Sequence, residues 1–393
     1  MKKEEKLLIR ICQCFLNGDS LSLPDNINWK DFYILAKNHN LMGVCHCVFN
    51  DNKELDIEQN IRRLFTDRFY DLIYRFEMQT NAFNDVKECL TRAEIYFIPF
   101  KGAVLRNLYP VPEGRSMGDI DLIIREADKD KADKALAENG FNLHTSNAGV
   151  CEYIRNGMIL EVHTRLFSEF GDKAFNDVFE NAVFNGFEGQ FDDSYHFAYL
   201  IAHTANHLKY TGAGIRFVLD LAIMQKKKQI DFEKVFKILK EIGLETFGRV
   251  ILTVCNEWFG VGESFVENTD RIQKYLIEDG VFGSLKDSNS ATVSRLMQCE
   301  AFDSDNGKKR SSLVLKLKLA FPPYSTLRKA TYIKFLNGRP WLLPVAWCYR
   351  FYYSLKNNRK HMLQTVKNID DEKTAVLVKE ELEFFEEIGI YGK

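Results

Sequence analysis

The sequence predicts an α+β protein in which a small mixed sheet sits between two helical segments. Three observations carry this expectation. Between residues 95 and 164, apolar and polar side chains alternate in short runs, the period of a half-buried strand. On either side, apolar residues recur every three or four positions, the period of an amphipathic helix. Asn156-Gly157 separates two of the alternating runs, and this dipeptide favours a two-residue hairpin turn.

Taken in order, residues 1–93 read as helices. Trp29, Phe32, Tyr33, Leu35 and Ala36 recur at helical spacing, with Asn26 or Asn28 available as N-cap. A long helix over about 57–93 carries Ile61, Leu64, Phe65, Phe69, Leu72 and Ile73. Residues 94–166 form an α/β segment, with a strand over 95–100, a short helix over 104–108 and a strand over 119–124. A helix over 126–139 follows, ended by Gly140, then strands over 141–144, 151–155 and 158–164. Residues 167–393 read as mainly helical, with helices over 195–210, 216–224 and 231–242, and Gly260 and Gly262 ending the next. A Ser/Asp/Asn-rich stretch over 287–309 reads as a loop or linker.

The 393 residues suffice for a sizeable core in two or three packed units. The net charge of −2 supplies no general attraction to nucleic acid or to an anionic membrane. Nine scattered cysteines and the absence of a secretory pattern at the N-terminus point to reduced thiols and a cytoplasmic protein. No run approaches the ~18 apolar residues of a transmembrane helix.

The chemistry concentrates in residues 94–125 and 158–166. Asp119 and Asp121 are two apart on a strand, so they share a face, while Ile120, Leu122 and Ile124 share the other. Residues 158–166 alternate likewise, with Leu160 and Val162 opposite Glu161 and His163. If the two strands are neighbours, Glu161 joins the aspartates. Three clustered carboxylates repel one another, and a hard divalent cation removes that cost.

Lys101-Gly102, Arg115, Asp119-x-Asp121 and a later strand carrying Glu161 resemble the nucleotidyltransferase superfamily typified by DNA polymerase β. More closely, FKGAVLRNLYP, RSMGDIDLII and LEVHTRL resemble the poorly characterised bacterial nucleotidyltransferase family proteins. The resemblance implies a polymerase β-like mixed sheet and transfer of a nucleoside monophosphate from a nucleoside triphosphate such as ATP to an acceptor hydroxyl. It implies Mg²⁺ or Mn²⁺ held by the catalytic set Asp119, Asp121 and Glu161. Lys101, Gly102, Arg115, His163, His203 and His207 then belong to the nucleotide site. Lys101 precedes and Ala103 follows Gly102, where the superfamily has Gly-Gly or Gly-Ser, so the phosphate-touching serine hydroxyl is absent. Lys101 could supply positive charge instead.

Each element has a plainer reading. Lys101 and Arg115 could simply pair with the three acids, and Gly102 could be an ordinary strand-to-helix turn. His196, His203 and His207 share one helical stripe, but the glutamate of a His-Glu-x-x-His zinc helix is missing. The stripe is expected to pack near Glu161 and His163 at a cleft. Arg216 and Asp220 stand at i, i+4 and read as a helix ion pair. Cys12-x-Cys14 and Cys45-x-Cys47 lack the usual zinc-ligand gap and read as buried structural cysteines. The aromatic stretch 341–353 reads as packing, or as a peripheral membrane or protein contact. Near-neutral charge argues for a small-molecule, sugar or protein acceptor over nucleic acid. The alternative functions are a non-catalytic nucleotide- or sugar-binding module and a protein-interaction scaffold.

Overall fold

The computed structural model describes residues 1–147, 149–166, 173–176, 178–279, 320–327, 331–336, 338–357 and 372–391. The chain divides into two compact units, Met1–Leu285 with Ile388–Lys393, and Lys286–Glu387. The stretch 287–309 lies outside the described residues.

The first unit opens with helices α1 (Lys3–Asn17), α2 (Trp29–Asn38) and α3 (Met42–Asp51). Asn28 caps α2, its side chain accepting the Asp31 amide, which satisfies one of the orphan donors at a helix start. Cys12, Cys14, Cys45 and Cys47 are buried free thiols, with burial raising the pKa of each. They fill the packing between α1 and α3 as the spacing suggests. The long helix α4 (Gln59–Arg92) leads into the sheet.

Seven strands form that sheet: β1 (Phe97–Pro99), β2 (Asp119–Ile124), β3 (Asn142–Asn147), β4 (Val150–Arg155), β5 (Met158–His163), β6 (Ala182–Asn185) and β7 (Glu188–Phe191). Their order is β3-β4-β5-β2-β1-β7-β6. β2 runs parallel to β5 and β1 parallel to β7, and every other pair is antiparallel. Asn156 and Gly157 turn the β4–β5 hairpin with φ of 51° and 76°, the double positive φ of a type I′ turn. β6 and β7 are short strands within the otherwise mainly helical region after residue 167, and the sequence reading did not mark them. They have only four residues each, and Val183 on β6 is exposed, so alternation marks them poorly.

Helix α5 (Gly102–Leu105) follows β1, and α6 (Lys129–Glu138) follows β2. One face of the sheet packs on α4 and α6. Ile120, Leu122 and Ile124 of β2 and Leu160 and Val162 of β5 meet Val86, Leu90, Ala132 and Leu136 there. Each such side chain contributes on the order of 2 kcal/mol through burial. The same alternation turns Asp119, Asp121, Glu161 and His163 to the opposite face.

That second face is met by α7 (Asp193–Tyr210), capped by the Asp192 side chain. Phe100 packs edge-on against Tyr199 of α7, with ring centroids 5.5 Å apart. Helices α8 (Ile215–Lys227), α9 (Phe232–Glu241), α10 (Glu245–Phe259) and α11 (Asp270–Asp279) complete the unit. His39 anchors the start of α8: its Nδ1 accepts the Ile215 amide at 3.1 Å, and its Nε2 donates to the Ile277 carbonyl of α11 at 3.1 Å. In the second unit, the helix Leu343–Asn357 buries Ala346 against Ile333 and Leu336. Trp341 and Tyr352 of the aromatic stretch are exposed. Among the described residues, no helix is long and apolar enough to cross a membrane.

Gly43 of α3 sets the loop that leads into β2. A Cβ there would stand 2.5 Å from the Gly114 carbonyl oxygen and 2.8 Å from its Cα, and backbone cannot yield as a side-chain tip can. Gly43→Ala should therefore lower stability by about 1–3 kcal/mol. Urea denaturation checks this, and a midpoint equal to wild type would refute the contact's importance.

Candidate active site

The parallel pairing of β2 with β5 sets Asp121 directly beside Glu161 in register. Ligand-capable atoms of Asp121, Glu161 and His163 all lie within 4.8 Å of one another. Asp119 stands two residues earlier on β2 and is not part of that group. Asp121 is the deepest of the acids at 2% exposure, whereas Asp119 and Glu161 are half-buried.

Two basic side chains meet Asp121. Lys101 Nζ donates to its Oδ1 at 2.7 Å, and His163 Nε2 lies 3.1 Å from the same oxygen. His163 Nε2 also stands 3.4 Å from Glu161 Oε2. Burial opposes charge on all three groups, but mutual attraction prevails. The Asp121 pKa falls far below the carboxylate range because Lys101 and His163 adjoin it. That of Lys101 rises through Asp121, and that of His163 rises through its bonds to Asp121 and Glu161. Asp119 lacks a comparable partner. Burial, then the charges of Asp121 and Glu161, push its pKa up to about 6.

Lys101 reaches Asp121 from an unusual backbone. Its φ is 49° and ψ −126°, a region that costs a non-glycine residue of order 1–3 kcal/mol. Its amide donates to His196 Nε2 at 3.2 Å. His196 is therefore neutral at that nitrogen, in keeping with burial, helped by Lys228, lowering its pKa to about 3. Gly102 follows, and a Cβ on it would meet Met117 at 2.9 Å and Arg115 Nη1 at 3.1 Å. Close packing already requires glycine here.

Arg115 does not contact the three acids. Its Nε and Nη2 donate to Asp220 Oδ1 and Oδ2 at 2.8 and 2.9 Å, and the Tyr109 hydroxyl donates to Asp220 Oδ1 at 2.6 Å. Asp220 thus serves Arg115 across 105 residues, not Arg216 as helical spacing suggests. Arg216 Nη1 donates instead to the Ser116 carbonyl at 3.1 Å. A fork-to-fork pair with Arg115 uses both carboxylate oxygens, which accounts for the exchange. Sequence reading missed Tyr109, assigned Asp220 to Arg216, and placed His196 in the cleft stripe without its bond to Lys101. No local pattern marks these contacts, since each spans a long chain separation.

A cavity of about 400 Å³ gathers the rest. Lys101, Gly102, Arg115, Asp119, Asp121, Glu161, His203 and His207 line it, together with Arg216 and Phe217. His163 sits behind Asp121, outside the lining. His203 and His207 meet with ring centroids 4.4 Å apart. Burial first, then Lys101, lowers both pKa values, that of His207 to about 4, so neutral imidazoles face the acids. A larger cavity of about 750 Å³ by β6 and β7 gathers no comparable donor set. Its lysines, Lys87 and Lys228, are paired with Glu188 and Asp193.

The cavity thus gathers Asp119, Asp121 and Glu161 together with Lys101, Arg115 and Arg216. Residues 25–260 match the family described as "Uncharacterised nucleotidyltransferase", and the chain belongs to that family. No curated protein and no solved structure matches.

Two outcomes follow from these interactions. Asp220→Ala would leave Arg115 buried without its carboxylate and should cost about 3–5 kcal/mol in denaturant unfolding. For Asp119, the folded pKa of about 6 exceeds the ordinary 3.8. The folded state therefore binds more protons in that interval, and this group's contribution to stability falls as pH rises through it. In metal-free protein, Asp119→Asn should be more stable than wild type by about 1–2 kcal/mol above pH 6. The gain should vanish below the ordinary carboxylate pKa. Melting curves of both proteins across pH measure the difference, and a pH-independent difference would contradict the assignment.

Proposed function

We propose that the cavity binds a nucleoside triphosphate with a divalent cation and transfers its nucleoside monophosphate to an acceptor hydroxyl, the new O–P bond forming as the α–β phosphoanhydride breaks and pyrophosphate and the hydroxyl proton leave. The observation that carries this reading is the register of Asp121 beside Glu161, at a cavity also lined by Lys101 and Asp119. Hard oxygen donors on one sheet face suit Mg²⁺ or Mn²⁺. Asp121 and Glu161 would hold the cation, with Asp119 completing the set. Such a cation supplies Lewis-acid polarisation of phosphate oxygens.

The chain's own groups have separate tasks in this reading. His163 orients Asp121 and Glu161 from behind. Lys101 neutralises Asp121 in free protein and contributes positive charge toward phosphate when the acids are otherwise engaged. His203 and His207, being neutral, would offer hydrogen bonds without adding repulsion toward a bound cation. Phe217 beside them provides an apolar wall for a base. The acceptor class favoured is a small molecule, sugar or protein, because the net charge of −2 provides no track for nucleic acid.

One observation favours a second reading. Lys101 Nζ already occupies Asp121 at 2.7 Å, and an ammonium held there would suit a module that binds nucleotide without metal or turnover. Melting temperature against each nucleoside triphosphate separates the two, with Mg²⁺ and with a chelator, for wild type and Asp119→Ala/Asp121→Ala. Ligand at a hundredfold excess over its Kd stabilises by about 2.7 kcal/mol. The enzyme reading expects a metal-dependent rise in wild type that is lost in the double variant. A rise that survives the chelator supports the binding module, and no rise with any nucleotide in folded protein removes both.

A further inference from the structure

Among the described residues lining the cavity, two charged groups stand outside the ion pairs, Asp119 and Arg216. Arg115 is matched by Asp220, and Lys101 by Asp121. His163 stands between Asp121 and Glu161. Arg216 forms no ion pair among the described residues; its Nη1 donates to the Ser116 carbonyl, and its guanidinium lies 5.5 Å from the centre of the Phe217 ring. Its Nε is buried with no hydrogen-bond partner among the described residues. A half-buried guanidinium lining a cavity in this state is unusual, since buried charges are normally paired. Burial first, then the neighbouring Arg115 cation, lower its pKa, and Asp220, Tyr109 and Asp119 offset this only in part. It also lies in the first turn of α8 (Ile215–Lys227), where peptide dipoles add further positive potential.

We infer that Arg216 receives the terminal phosphates of a polyphosphate ligand, whereas Arg115 is a buried positioning residue held by Asp220 and Tyr109. The inference rests on the nucleotide reading and assigns it a residue that the Asp-x-Asp pattern does not mark. A ligand carrying a cation at one end and oxyanions at the other matches both sides of the cavity. Asp121 and Glu161 would hold the cation, and the guanidinium of Arg216 would meet the outer phosphates. A cavity of about 400 Å³ is within the range of small-ligand sites. Planar guanidinium donors suit phosphate oxygens. The neighbouring Phe217 and His207 rings, 4.7 Å apart, hold α8 against α7 and so fix where this donor points.

The test is calorimetric titration of the full chain with inorganic tripolyphosphate and Mg²⁺, alongside each nucleoside triphosphate. The proteins are wild type, Arg216→Ala, Arg216→Gln, Arg216→Lys and Asp119→Ala/Asp121→Ala, each checked for folding. Loss of a charged hydrogen bond predicts roughly 10- to 100-fold weaker tripolyphosphate binding in the Ala and Gln variants. Arg216→Lys, which keeps the charge, should recover part of the affinity. Equal affinity in wild type and Arg216→Gln overturns the inference. If the carboxylate variant alone loses nucleotide, the nucleotidyl-transfer reading stands and the Arg216 subsite falls. If tripolyphosphate binding depends on Arg216 while no nucleotide binds, the subsite stands and the nucleotide reading falls. Absence of tripolyphosphate binding in wild type overturns the subsite outright.

Discussion

The site depends on one pairing, that of β2 with β5 in parallel, with Asp121 level with Glu161. Like charges directly across a strand pair are destabilising, so this register needs compensation to persist. It comes from two directions. His163 lies two residues beyond Glu161 on the same strand face, and Lys101 enters from the turn after β1. The apolar side of the same strands fixes the register, because a one-residue slip would turn Leu122 and Val162 out of the core and the acids into it. Core packing therefore holds together a set of charges that would separate if left to themselves.

The helical cover has a comparable logic. α7 is buried along most of its length, yet it contributes His196, His203 and His207 to the polar side of the molecule. Their pKa values are lowered, with burial the first cause in each. They can therefore sit near Lys101 and Arg216 without adding positive charge. The Arg115–Asp220–Tyr109 cluster joins the loop before β2 to α8. Gly43 against Gly114 seats that loop from the other side. Arg216 is placed by these contacts and by His39 at the start of its helix.

The parts of this arrangement that were legible in the sequence are those governed by local periodicity. Asp119-Ile120-Asp121 and Leu160-Glu161-Val162 announce their faces by alternation alone, and Asn156-Gly157 announces the turn that brings β5 into the sheet. β6 and β7 were overlooked although Asn185-Gly186 lies between short apolar runs, with Gly186 at φ 61°. Four-residue strands give too few alternations to outweigh the helical pattern that follows. The Arg115–Asp220 pair was beyond reach for another reason. Spacing within one helix offers Arg216 as the nearer partner, and only the tertiary path of the loop before β2 brings in Arg115. Local rules propose partners at i+4; packing selects among those and all distant ones.

Lys101 connects these two levels. A lysine at φ 49° is a poor local choice, and local choices in natural sequences generally agree with the fold. Disagreement is expected where function constrains the backbone. The constraint here is electrostatic. Asp121 and Glu161 stand level on adjacent strands, and the Lys101 ammonium at Asp121 offsets their repulsion. The turn must also let Gly102 pack within van der Waals limits of Met117 and Arg115, so the strained position falls on the residue before it. His196 accepting the Lys101 amide holds the peptide in that orientation. The backbone is thereby fixed in the conformation from which the Lys101 ammonium reaches Asp121.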